Sequence, residues 1–572
     1  MRGKAVRTNR SVKLPVSPSQ VETKEALPRG IFFALSAAIA AGVFLLYSPS
    51  LHFQFILDDH HFMNDPRIQN AGHVWEYFTN YVWAQITGAP ASFYRPFFIL
   101  WLRLNFILSG MSTWGWHLLS IVKHLAAAGL LGLLTWKLLR NRMAALVAAS
   151  LFALHPAQVE SVAWVTVPDP LTTIAILSTI LFFLIYAEHV SGSEFPSAKN
   201  NQRKKAVAAS SPSIKWLIFA VLSCLTALFT KETAIVLPVL LFAFVFILPG
   251  EFQEKSEHLP KRLFLALRDS FLFLVVTAIY FLFRLIALDG KLSSDTQHLA
   301  WKTVMLSWPK TLWFYMKVLI WPVKSRAFSN SSLISSFSFR HVLLPLFEVI
   351  CVLIIFVAGF AWAWKKSREH PEPERKGLKR ALVLGALLFL LPFPLTLNLN
   401  ALEPGDFLHG RYMYLPLCGV ALLLATVWDL SGKAQMPLLG LVAVIVLGFG
   451  ILTAQQEGMW KDDLTLFTAV NKISPRNAPI AEDLSRAHVQ VALGLDDEDR
   501  CDEAMPIFNQ AIQQYPKDWF AWAGRGECLY KLNDLRGSKE SLERAYALSK
   551  EPRVHDEWQM VREKMDGAAP AR

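Results

Sequence analysis

Four ionisable residues stand in a row shortly after the chain's first long apolar run: Asp58, Asp59, His60 and His61, within "FQFILDDHHFMNDPRIQN". A carboxylate at a membrane boundary suits general-base work, because partial loss of water raises both its pKa and its basicity. Two imidazoles beside two acids are also residue types that bind a divalent metal. Adjacent residues on an extended chain point to opposite faces, however, so four in a row cannot all converge on one ion. A solvated loop or a cap for a following helix would use the same residues, and the residue types alone leave the four readings open.

More polar groups fall on the same side of the membrane as this quartet under the topology below. They are Tyr94, Arg95, His117, His155, Glu160, Asp169, Lys231, Glu232, Glu403, Asp406, His409, Arg411 and Tyr412. Any one of them is commonly a helix cap or an ion-pair partner, so their shared side is the informative fact. Lys123, His124 and Arg284 lie inside apolar stretches, where an ionisable group is costly and faces a cavity or a partner, although Lys123 can also snorkel.

The elements that must position these groups are membrane helices. Of the 572 residues, 53% are hydrophobic and 18% charged, and mean hydropathy is +0.33, too apolar for an ordinary soluble globule. Runs long enough to cross roughly 30 Å of hydrocarbon recur from residue 31 to residue 455 and then stop. The fold class expected is all-α: a polytopic bundle of about 11 transmembrane helices followed by a polar helical domain.

The basic segment 1–30 reads as a disordered cytoplasmic tail before an uncleaved first helix. Lys137, Arg140 and Arg142, then Lys199, Arg203, Lys204 and Lys205, then Lys255, Lys261, Arg262 and Arg268 mark returns to the cytoplasm. The first outer loop, 50–115, then lies outside. Two segments, "YRPFFILWLRLNFILSG" and "MLSWPKTLWFYMKVLIWPV", carry charges and Pro among their apolar residues and read as interfacial helices on the outer side. If either crossed, the C-terminal side would flip. The net charge of +12 follows this positive-inside pattern and does not call for a nucleic-acid partner. The five cysteines show no CxxC or zinc spacing.

From 456 to 572 the chain is polar and periodic. Ala504 aligns with Ser538 and Ala511 with Ala545, each pair 34 residues apart, the tetratricopeptide period. Trp522, Gly526 and Tyr530 sit near the W…G…Y spacing of a first repeat helix. Two and a half such repeats are marginal alone and should lean on the membrane domain, either as a stabilising cap or as a groove for an acceptor or partner.

Taken in order, "LDDHHFMNDPRI", "FYRPFFILWLRLN", "WHLLSIVKHL", "LFALHPAQVESVAWV", "TKETAIVLP", "GRYMYLPLCG" and "MWKDDLTLF", then the repeats, resemble the GT-C membrane glycosyltransferases. The likeness is to bacterial relatives of the transmembrane and tetratricopeptide repeat-containing O-mannosyltransferases, and it covers nearly all of the chain after residue 50. It implies a GT-C bundle over 31–455, a polyprenyl-phosphate-linked sugar as donor, and repeats facing the outer compartment. It gives Asp58 and Asp59 the catalytic role, and makes Arg95, Lys231 and Arg411 candidates for the departing lipid phosphate. His60, His61, Tyr94, His155, Glu160, Asp169, Glu232 and Tyr412 are the further substrate-binding candidates. The chain departs from the family pattern twice: no basic residue precedes Asp169 in "TVPDP", and Gly410 stands where many relatives carry an acid before the Arg.

The expectation that follows is an inverting transfer from the polyprenyl-phosphate sugar to a hydroxyl acceptor, a protein Ser/Thr or an envelope glycan or lipid, with an Asp as general base and no metal required. The chain would be a multi-pass protein of a bacterial inner membrane. Two rivals are an O-antigen-ligase-type oligosaccharide transferase and a membrane-anchored tetratricopeptide scaffold. The early acidic motif and the short late outer loop argue against the first, and the many spans argue against the second.

Overall fold

The computed structural model of the chain describes residues 27–85, 93–193, 214–248, 258–290, 299–322, 333–372, 374–401, 408–473, 478–498 and 500–567. Helices dominate, and no strand occurs among the described residues. In hydrocarbon a helix satisfies its own backbone, which is why the apolar runs adopt it. The basic residues expected in loops at 199–205, Lys255, and Glu403 and Asp406, expected on the outer side, lie outside the described residues.

Eight helices among those described are long and apolar enough to cross a bilayer, so the chain is a multi-pass membrane protein. The other three expected spans are imperfect. Arg142–Ala153 and Pro156–Ala163 meet at a 56° bend, and Ile214–Thr230 and Glu232–Ile247 are shorter apolar helices. A polar residue stands at each break: His155 caps the turn at Pro156, and the buried Lys231, held by Asp169, sits between the two short helices.

Side-chain ties sort the helix ends onto two faces. On one, the tail face, Leu27 O accepts from Arg142 (2.6 Å), Asn141 donates to Asp429 (2.7 Å), and Glu188 pairs with Lys137 and Arg380. On the other, the loop face, Ser50 N donates to Glu457 (3.2 Å), Gln54 N to Lys461 O (2.9 Å), and Thr453 to Leu154 O (3.1 Å). The far ends of the first span, Arg29–His52, and the last, Gly432–Trp460, therefore share a face, and an even number of crossings separates them.

The two mixed segments do not alter that parity. Pro96–Ser109 begins beside Arg95, bonded to Glu232, and ends at Gly110, whose carbonyl accepts from Trp116 at the loop-face end of Thr113–Leu139. Trp301–Ile320 starts next to Leu299, tied to Asn400, and ends at Leu319, tied to His155. Both helices have both ends on the loop face.

The centre of the bundle is Gly410–Leu430, 78% of whose most apolar stretch is buried, against 6% for Gly432–Trp460 at the lipid side. Tyr414–Leu430 meets Glu374–Leu390 backbone to backbone: a Cβ on Gly419 would lie 2.5 Å from the Gly385 carbonyl oxygen and 2.6 Å from the Phe389 nitrogen. Small residues at such crossings are how membrane helices gain close contact without a hydrophobic driving force.

Beyond Trp460, the helices Asp463–Ile473, Ala478–Asp497, Cys501–Gln514, Trp519–Lys531, Leu535–Ser549 and Pro552–Gly567 each pack on the next. Leu466, Val470 and Ile480 belong to the same continuous apolar core as the membrane helices, so the first pair of C-terminal helices is built onto the bundle.

Candidate active site

The quartet sits where the chain leaves the first span and turns sharply. Leu57 adopts φ +53°, a left-handed conformation that costs a branched, Cβ-bearing residue about 1–2 kcal/mol, and the short helix Asp59–Met63 starts at once behind it. That turn separates the two acids. Asp59 is fully buried, with one oxygen accepting from Thr166 Oγ1 (2.6 Å) and Thr166 N (3.2 Å) and the other from Ile56 N (3.1 Å). Burial pushes its carboxyl up to about 7, because the donors that surround it are neutral and only partly replace lost water. Asp58 is half-buried.

The two histidines are exposed and do not join the acids around a point. His60 Nε2 pairs with Asp463 Oδ2 at 2.8 Å, and that carboxylate pushes the imidazole up from its ordinary value. Further along the loop, Arg67 is buried in a forked pair with Asp65 (2.6 Å) and donates to the carbonyls of Tyr81 and Val82, which closes the loop on itself.

A second cluster gathers the cations. Arg95 donates to Glu232 (2.8 Å), which also accepts from Arg284 (3.3 Å) and from Tyr94 N (3.1 Å). Lys231, the neighbour of Glu232, is bound by both oxygens of Asp169 (2.6 and 2.7 Å) and lies 5.4 Å from the Tyr412 ring centre. Arg411 packs over the Trp164 ring at 4.5 Å, its backbone N–H donates to Glu160 Oε2 at 3.1 Å, and the His409 ring meets Glu160 Oε1 through Nδ1 at 2.8 Å. Arg411 and Arg95 both act on the charge of Lys231, so the three cations share one neighbourhood.

One segment joins the two clusters. Trp164 lies under Arg411, Thr166 holds Asp59, and Asp169 holds Lys231, all within six residues. This accounts for both departures from the family pattern. Asp169 takes its cation from Lys231, distant in sequence, and Gly410 leaves room for Glu160, whose Oε2 would lie 3.4 Å from a Cβ at position 410.

Other expected site residues are committed elsewhere. His155 spends both ring nitrogens on backbone, Nε2 on Leu319 O (3.1 Å) and Nδ1 on Ala157 N (3.1 Å). His124 bridges Tyr414 (2.8 Å) and Ala153 O (2.9 Å), and Lys123 lies over Trp101 within electrostatic reach of Asp59. His117 is buried against Phe53. Sequence reasoning missed Asp463, whose only local signal is an acid in the first turn of a helix.

Among the described residues, the acids, cysteines and histidines close enough to hold a metal are Asp496, Cys501 and Cys528, in the C-terminal domain and not at the quartet. Both thiols donate to Asp496 Oδ1 (3.0 and 3.2 Å), and Lys531 Nζ stands 3.0 Å from the same oxygen. An ammonium already supplies the positive charge there.

No family model matches the chain. Among curated proteins, protein O-mannosyl-transferase TMTC3 of Mus musculus is 24% identical over 471 residues, 78% of this chain and 47% of that protein. The Homo sapiens TMTC3 is 24% identical over 478 residues, 80% and 48%. Drosophila melanogaster Tmtc1 is 29% identical over 202 residues, 35% and 21%.

The chain is similar to the protein O-mannosyl-transferases. It spans about half the length, or less, of these O-mannosyl-transferase relatives. Two solved structures are also similar. ArnT from Cupriavidus metallidurans, bound to undecaprenyl phosphate, has a TM-score of 0.39 at 14% identity, over 90% of this chain and 80% of that one. Archaeal oligosaccharyltransferase AglB from Archaeoglobus fulgidus, with an inhibitory peptide and a dolichol-phosphate, has a TM-score of 0.42 at 13% identity, over 83% and 59%.

Proposed function

We propose that this chain is a membrane glycosyltransferase of GT-C type that moves a sugar, mannose first among those to try, from a polyprenyl phosphate to a hydroxyl acceptor with inversion. The observation that carries this reading is the segment Trp164–Asp169, which places an acidic loop and a cluster of Arg95, Lys231 and Arg411 side by side on one face of the bundle.

Asp58, half-buried at the turn, is the general base in this scheme, and Asp59, buried with donors on both oxygens, holds the loop. The acceptor O–H gives its proton to the Asp58 carboxylate as its oxygen bonds to the anomeric carbon, and the bond from that carbon to the phosphate oxygen breaks. The phosphodiester leaves as a monoester with one more negative charge. Fixed cations aimed at a charge that grows during reaction stabilise the transition state more than the ground state, and removing one such contact costs about 10²–10³ in rate. No step needs a metal.

By this reading the loop face is the outer, periplasmic side of a bacterial inner membrane, the N-terminal tail is cytoplasmic, and the helices beyond 456 are tetratricopeptide repeats that hold an acceptor protein or glycan. Purified protein in liposomes, given polyprenyl-phosphate mannose labelled in the sugar, tests the core claim. Transfer by wild type that persists unchanged in Asp58→Asn overturns the assignment of the base. Absence of transfer from every polyprenyl-phosphate sugar overturns the reaction class.

A further inference from the structure

The catalytic loop is anchored in the C-terminal domain rather than in the membrane alone. Three rungs run in parallel from the end of the first span to the junction after the last: Ser50 N to Glu457, Gln54 N to Lys461 O, and Leu57 N to Asp463 Oδ1 at 2.9 Å. Asp463 then uses its other oxygen on His60 Nε2 at 2.8 Å. One carboxylate thus grips the chain immediately before Asp58 and immediately after Asp59.

The apolar contacts agree. The Leu57 side chain packs with Leu464 into the cluster of Phe467, Leu484 and Ala487, formed by the helices Asp463–Ile473 and Ala478–Asp497. A residue in left-handed backbone conformation keeps it only where its surroundings over-determine it, and here Asp463 takes its amide while the first C-terminal helix pair takes its side chain.

We propose that Asp463 is a positioning residue for the transfer reaction, acting through Leu57 and His60 to set the direction in which Asp58 points, so that the first helix pair of the C-terminal domain is part of the active site's framework. This rests on the reaction class proposed above. Misplacement of a reacting group by about 1 Å can cost roughly 100-fold in rate without loss of substrate binding.

The test uses full-length protein in liposomes and two readouts. In Asp463→Ala, kcat should fall ~10- to 100-fold with the KM for polyprenyl-phosphate mannose within about twofold of wild type. Asp463→Asn, which keeps an oxygen for Leu57 N, should recover part of that loss. The neighbouring Asp462 caps Thr465 N (2.8 Å), and Asp462→Asn should leave the rate near wild type.

Amide hydrogen exchange is the readout that does not depend on turnover. Asp463→Ala should speed exchange at residues 54–60 by about tenfold or more while residues 478–497 stay protected. His60→Gln attacks the same contact from the loop side and should give a smaller rise at 57–60 even if Asp463→Ala fails to fold. Unchanged exchange at 54–60 in both variants overturns the anchoring. Altered exchange with kcat unaffected overturns the positioning role. Altered exchange in a protein whose wild type transfers no sugar leaves the anchor standing and sinks the reaction class instead.

Discussion

Asp59 and Glu160 are buried carboxylates on the same face of one bundle, yet their neighbours differ in kind. Asp59 is surrounded by neutral donors, the hydroxyl and amide of Thr166 and the amide of Ile56, and burial lifts its carboxyl to about 7. Glu160 faces Arg411 and His409, and its counterparts Asp169 and Glu232 likewise face Lys231, Arg95 and Arg284. The direct hydrogen-bond donors to Asp59 are thus neutral, with Lys123 in electrostatic reach of it, whereas each carboxylate of the second cluster is paired with a cation. The second cluster matches charge against charge, and its guanidinium and ammonium groups are the kinds that bind a phosphate.

The largest effect that could break this division is at Asp58. Asp58→Asn should lower transfer by about 10²–10⁴, the range of general-base contributions, with donor binding retained in an equilibrium assay. Loss of donor binding instead would move Asp58 into the phosphate cluster. Next, Arg411→Gln should cost roughly 10²–10³ in kcat, measured with the same labelled donor. A rate loss confined to KM would mean that Arg411 holds the ground state only.

Lys231→Met should destabilise the protein by on the order of 3–5 kcal/mol, because it strands Asp169 in a buried site, and adding Asp169→Asn should restore much of that loss in thermal unfolding. A smaller, pH-dependent effect belongs to Asp59. Its folded pKa lies above the ordinary 3.8, so the stability it contributes is complete below about pH 4 and is lost as pH rises through about 7. Tm of wild type relative to Asp59→Asn should therefore fall between pH 5 and pH 8, and a flat difference would contradict the neutral surroundings assigned to it. Smallest of all, Gly410→Ala should be nearly silent. Gly410→Asp, which sets a second carboxylate against Glu160, should cost roughly tenfold in transfer.

How much of this was legible beforehand depended on distance along the chain. The long apolar helices follow from composition, because lipid constrains every span in the same way. Asp58 and Asp59 could be found as a pair but not told apart, since one residue of left-handed backbone at Leu57 decides which is buried. The family pattern puts a basic residue just before Asp169, whereas the cation that holds it here is Lys231, 62 residues later. Cys501 and Cys528 have no metal spacing in sequence and meet only because helices stack. Asp463 lay inside "MWKDDLTLF", yet nothing local distinguishes an acid that grips a loop 406 residues earlier from one that caps its own helix.

The rungs between residues 50–57 and 457–463 also bear on how the protein is made. Asp58 leaves the ribosome some 400 residues before Asp463 does. At about 5–20 residues per second, roughly 20–80 s of synthesis separate them. Until the last crossing inserts and its following helix forms, the loop lacks its anchor. A nascent chain that has not yet reached Asp463 carries every charged group of the cluster but lacks the contact that grips the turn at Leu57, so the two acids are held in register only after the last crossing is in place.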